Sequence, residues 1–157
     1  MKDNVGRAAL VLWVVTLVVM ATLFIRGWTS PGRDGRTEVV LAPVERDQIL
    51  GEMRQLLKAV HGIVTAAGDP AQNMKPAQEA ARAAGMSMAA DVDPALMAKL
   101  PLAFKQMGMS VHQDMDRLAE AIGQGETPVQ IMARLSSMTA RCTTCHDIYR
   151  LSDSRRQ

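Results

Sequence analysis

The chain has 157 residues, of which 48% are hydrophobic but only 3% aromatic, and 12 are Met. That length holds one domain of ordinary size, or a smaller domain with an appendage, and excludes a large multi-domain enzyme. An apolar content drawn from Ala, Leu, Val, Ile and Met favours helix over an all-β sandwich or barrel, and a formal charge of +2, from 18 basic against 16 acidic residues, is no nucleic-acid footprint.

Residues 8–25, AALVLWVVTLVVMATLFI, carry no charge. As a helix they reach roughly 27 Å, close to the hydrocarbon thickness of a bilayer, and Trp28 stands just beyond as an interfacial anchor. A cleaved signal peptide fits less well. The run is longer than a usual h-region, and the exit LFIRGWTS offers no small-x-small cleavage site. The segment 1–25 therefore reads as a membrane anchor. Lys2 and Arg7 before the run are balanced by Arg26, Arg33 and Arg36 after it, so basic residues do not set its orientation. Residues 26–43 hold Gly27, Pro31, Gly32, Gly35 and Pro43 without a helical period, which predicts a flexible linker. As a coil it would span roughly 20–25 Å.

Four helical segments are expected in 44–157. The first, about 44–67, repeats Ile49, Met53, Leu56, Val60 and Ile63 at helical spacing and stops at Gly68 with Asp69-Pro70. The second, about 70–90, is Ala-rich along Met74, Ala77, Ala81, Ala84 and Met88. A connection over 91–99 with room for one helical turn leads to the third, about 100–122, whose stripe is Phe104, Met107, Val111, Met115, Leu118 and Ile122. The fourth, about 127–152, opens with Thr127 as N-cap and Pro128 at its first position, and carries Ile131, Leu135, Met138, Cys142, Cys145 and Tyr149 on one face. The expected fold is all-α: an antiparallel four-helix bundle behind an N-terminal transmembrane helix.

Cys142-Thr143-Thr144-Cys145-His146 is a CxxCH motif and uses both cysteines of the chain. The pattern is that of c-type haem attachment. Two thiols at i and i+3 share a helical face and add across the two vinyl groups, and the adjacent imidazole coordinates iron. Three other readings are weaker. A redox CxxC pair would suit a thioredoxin-like βαβ context, which this chain lacks. Structural zinc would need further ligands, and His61 and His112 show no pairing signature. A disulfide between i and i+3 within a helix is geometrically poor.

The string CTTCHDIYR near the C-terminus, on the last of four expected helices, resembles the cytochrome c′ (class II cytochrome c) family. Tyr149 and Arg150 match the aromatic and basic residues that often follow the motif in that family, and the resemblance covers roughly residues 44–152. It implies one covalently attached haem c, with Cys142 and Cys145 as the thioether residues and His146 as proximal ligand. It also implies that the first helix faces the distal side of the iron. An Arg often stands four residues ahead of the distal residue. From Arg46 that count reaches Leu50, an apolar residue that would leave iron five-coordinate, as in the gas-binding members. One turn on stands Met53, on the core stripe. Met/His ligation suits an electron carrier, and Met53 is taken as the distal ligand. His112 is the next candidate, and His61 is assigned to the surface.

Met86, Met88, Met107 and Met109 form two M-x-M pairs whose members point apart on a helix, so they are assigned to packing rather than to copper. Arg46, Arg141 and Arg150 are candidates to meet haem propionates, although Arg141 is expected to be solvated. Asp114 and Asp116 are expected to solvate the third helix. No nucleotide-binding or hydrolase motif occurs.

The expected function is a membrane-tethered monohaem cytochrome that carries single electrons to redox partner proteins at the membrane, not an enzyme. The alternative is a five-coordinate haem protein that binds NO or CO. Covalent haem maturation, as the resemblance implies, places a single-pass protein in the bacterial inner membrane with its haem domain in the periplasm. Homodimers occur in the family, but no exposed apolar seam in the sequence demands one.

Overall fold

A computed structural model describes residues 2–71 and 73–153, and the chain is mostly helical. Helix α1, Lys2–Arg26, contains the uncharged run, and its stretch Gly6–Arg26 is long and apolar enough to cross a membrane. None of that stretch is buried against the rest of the protein. Thr16 and Thr22 donate their hydroxyls to the carbonyls of Leu12 and Val18, four residues back, so neither leaves a polar group unsatisfied in lipid.

The segment expected to be a flexible linker is folded. Strands β1, Thr29–Pro31, and β2, Thr37–Leu41, form an antiparallel hairpin with Thr29 opposite Val39 and Pro31 opposite Thr37. Strand β3, Tyr149–Asp153, adds to β2 in parallel, with Thr37 opposite Tyr149 and Leu41 opposite Asp153. The all-α expectation is therefore corrected by a three-stranded sheet in the order β1-β2-β3. Pro31 is tolerated because β1 is an edge strand. β-Branched Thr37, Val39 and Val40 suit the central strand, where Val39 and Leu41 are buried. The hairpin is tied back to the domain: the Trp28 amide donates to the Lys99 carbonyl at 2.7 Å, and Val40 donates to the Trp28 carbonyl at 2.9 Å. Gly27 has φ +61°, and a Cβ there would run into the backbone of Lys99–Pro101. Only glycine serves at that joint.

Helix α2, Pro43–Ala67, follows the expected boundaries. The second expected helix is broken into α3, Lys75–Ala83, and α4, Met86–Ala89. The break falls at Gly85, where the Asp116 carboxylate accepts from the Met86 amide at 2.9 Å and occupies the space a Cβ would need. Asp116 is thus a helix-end acceptor rather than a solvating charge. The connection holds α5, Pro94–Lys99, with Asp93 accepting from the Ala95 amide. Helix α6 runs Leu102–Gly123 and α7 runs Pro128–Ile148. Thr127 and Gln130 cap α7 reciprocally, as the S/T-x-x-E/Q spacing favours. Helix α7 stops four residues before the expected end because Tyr149 turns extended to pair with β2.

Two cores result. The first joins Ile63 of α2, Ala77 and Ala81 of α3, Met115 and Leu118 of α6, and Ile131 and Leu135 of α7. Ala77 and Ala81 have no exposed surface, so they bring helices close rather than leave room for a cofactor. The second core lies beneath the sheet and joins Val39, Leu41, Ile49, Leu96, Leu100 and Phe104.

Candidate functional site

Between the two cores opens a cleft. Cys142 packs against the first core and Cys145 against the second. Both sit in the last two turns of α7, three residues apart, half-buried and unpaired. Burial pushes both thiols above their ordinary range, and the neighbouring Cys142 raises Cys145 further. A thiol that attacks disulfides needs the opposite shift, toward the thiolate. The environment therefore speaks against thiol–disulfide exchange.

The cleft holds a cavity of about 120 Å³ and opens to solvent; its lining is mostly apolar, as cofactor sites usually are. Its walls are Ile49, Met53 and Leu56 from α2, Phe104 and Val111 from α6, and the two cysteines with His146 from α7. Thus Met53, Cys142, Cys145 and His146, singled out in the sequence, line one cavity. Leu50 does not line it. It faces an adjoining cleft, which shares Met53, Phe104, Cys145 and His146 and adds Arg36, Arg46 and Arg150.

His112 is buried, with 4% of its surface exposed, and also lines the main cleft. Its Nδ1 is 2.8 Å from the Ala84 carbonyl oxygen. A carbonyl only accepts, so Nδ1 carries the proton and Nε2 holds the lone pair. Glu52 lines the same wall. Burial pushes its carboxyl above the ordinary range, and the proximity of His112 works against that shift. His61 is exposed, as assigned.

Four expectations about the surroundings change. Arg141 is not merely solvated: it lines the cleft and pairs with Asp114, which also holds Arg117 at 3.1 Å. Asp114 is correspondingly an ion-pair partner on α6. Met107 and Met109 face the cleft, half-buried, rather than filling a core. Arg150 is engaged by carboxylates, at 3.2 Å from Glu38 and 3.4 Å from Asp34, whereas the ion pair of Arg46 is a 3.9 Å contact with exposed Asp47.

Comparison with protein-family models, with curated proteins and with solved structures finds no match to this chain.

Among the described residues no group of three or more His, Cys, Asp or Glu side chains gathers to hold a metal, which leaves the structural-zinc reading without its ligands. The cleft brings together two free thiols on one helical face, an imidazole beside them, a thioether from α2 and apolar walls. Sequence reasoning missed Glu52, Arg36 and Lys105. Glu52 adjoins Met53 and could have been suspected. Arg36 and Lys105 reach the clefts through pairings across the chain, which leave no local mark.

Proposed function

We propose that this protein is a membrane-anchored monohaem c-type cytochrome that carries single electrons. The observation that carries the reading is the gathering of Met53, Cys142, Cys145 and His146 on one apolar cleft. In this reading α2, α3, α6 and α7 act as the antiparallel four-helix bundle of the cytochrome c′ type, with the sheet as an addition.

Cys142 and Cys145 would hold the group covalently through their sulfurs, and the His146 imidazole and the Met53 thioether would be its iron ligands. Haem, when bound, supplies the one-electron ferric/ferrous couple. The apolar walls of Ile49, Leu56, Phe104 and Val111 would pack against the group and orient it. Arg46, with its weak partner, is the cation best free to meet a propionate from the adjoining cleft. Leu50, as a distal wall, is the residue the gas-binding alternative requires, and its place on the adjoining cleft favours Met53 instead.

Helix α1 serves as a single-pass anchor. Covalent haem chemistry then assigns residues 26–157 to the periplasm of a bacterium, where redox partner proteins at the inner membrane would exchange electrons with the domain. An alkaline phosphatase fused at the C-terminus is expected to be active. The central test is the pyridine haemochrome and resting ferric spectrum of the purified full-length protein. A c-type haemochrome and low-spin ferric iron are expected. Absence of covalent haem after expression with the maturation machinery overturns the proposal, and high-spin iron shifts it to NO or CO binding.

A further inference from the structure

We infer that the hairpin following the membrane helix is part of the haem site, and that its Arg36 is a positioning residue for His146. The inference rests on the haem reading above and deepens it.

Arg36 precedes His146 by 110 positions, yet its Nη1 donates to the His146 carbonyl oxygen at 3.1 Å. That carbonyl belongs to the last turn of α7, where no further helical amide is available to it. The other face of the guanidinium is held in a fork: Nε and Nη2 donate to the two-residue-distant Asp34 carboxylate at 2.9 and 2.7 Å. Asp34 also meets Arg150 at 3.4 Å, and Arg150 meets Glu38 at 3.2 Å. The hairpin therefore grips the chain on both sides of the α7 end, at residue 146 through Arg36 and at residue 150 through Asp34 and Glu38. Between the two grips Thr37 stands opposite Tyr149 in the parallel ladder. Arg36, His146 and Arg150 line the same cleft.

A donor pinned on both sides fixes the carbonyl it serves, and with it the backbone from which the His146 imidazole departs. The orientation of a ligating His is set by such outer contacts. The guanidinium also places a positive charge beside the proximal ligand. Its removal leaves Asp34 and Glu38 facing Arg150 alone, and the added negative balance favours ferric iron. A helix cap without influence on the haem would affect stability only.

The test uses the full-length protein in detergent. Arg36→Ala is compared with wild type, and with Arg134→Ala, which removes a forked ion pair to Glu126 at the other end of α7. The readouts are the haem midpoint potential and the iron–histidine vibration of the ferrous protein after carbon monoxide photolysis. Arg36→Ala is expected to lower the potential and shift the vibration, and Arg134→Ala to do neither. Covalent haem with wild-type potential and vibration in Arg36→Ala, whatever the melting temperature, overturns the inference and leaves the haem reading standing. Where Arg36→Ala yields no holoprotein, Arg36→Gln keeps a donor without the charge. A smaller fall in potential supports the inference, and wild-type values overturn it. A wild-type protein without a c-type haemochrome overturns the haem reading, and this inference with it.

Discussion

The ammonium of Lys105 lies 4.0 Å from the centre of the Phe24 ring, within reach of a cation–π attraction. Phe24 is in the last turn of α1, and Lys105 lines the cleft that holds the cysteines. The site therefore sits at the end of the domain nearest α1. The more distant half is the packed core around Ile63, Met115 and Ile131.

Met53→Ala separates ligation from packing. Met53 is half-buried, so truncation as mere filler costs less than the roughly 2–5 kcal/mol of a fully buried Met, with the spectrum unchanged. Loss of a thioether ligand instead turns the iron high-spin, raises ferrous affinity for carbon monoxide and lowers the potential. Spectrum and melt on one sample decide. An unchanged low-spin spectrum moves the assignment to His112, whose Nε2 bears the lone pair on the same cleft wall.

Cys142→Ser with Cys145→Ser would remove the proposed covalent attachment. The first core is complete without a cofactor, since Ile63, Met115 and Ile131 have no exposed surface. Far-ultraviolet circular dichroism should therefore remain helical while the melting midpoint drops. An unchanged midpoint argues against a haem buried between the cores.

Gly27→Val tests the joint between anchor and domain. The left-handed φ of +61° and the nearby backbone of Lys99–Pro101 leave no room for a side chain. Strain of this kind is on the order of 1–3 kcal/mol. The expected result is faster proteolysis in residues 28–41 with the haem spectrum largely retained. Wild-type protection there would contradict the rigid joint.

Glu45 gives the acid limb of stability a predictable sign. Its carboxylate meets the Lys99 ammonium first, and also accepts from the Ala42 amide at 2.8 Å, so its pKa is depressed in the folded protein. The unfolded chain binds that proton more readily. The contribution is thus present above the ordinary Glu value near about 4.3 and is lost as pH falls through the lower folded value. Glu45→Gln should lose up to about 1 kcal/mol at pH 7. Its melting curve should converge with wild type in strong acid. Parallel curves at pH 7 and in strong acid would refute this.

The helices were legible because their apolar stripes are long and their ends are marked by Thr127-Pro128, Gly68 and Gly123. The CxxCH motif was legible because its chemistry is local. The sheet was not, because β2 finds its partner at Tyr149–Asp153, more than 100 residues away, and the stripe through Tyr149 is as regular as a continuing helix would make it. The same distance concealed Arg36. The break at Gly85 was half-legible: the glycine was visible, but the Asp116 carboxylate that occupies its place comes from α6. Periodicity put Met53 on the inward stripe of α2 and could not tell which of Leu50, Met53 and His112 share a cleft with the cysteines. That choice depends on which side chains meet across helices.

The folded joint between α1 and the hairpin changes what a lipid bilayer can do to this protein. A helix in a membrane is turned about its own axis by whatever packs along its flank. On a slack tether that rotation would die out within a few residues. Here Gly27, the Trp28–Lys99 hydrogen bond and the Lys105–Phe24 contact pass it on. With α1 in a membrane, the compass bearing of the cleft would follow from whatever packs along residues 10–25, and a change of flank would turn the cleft with it.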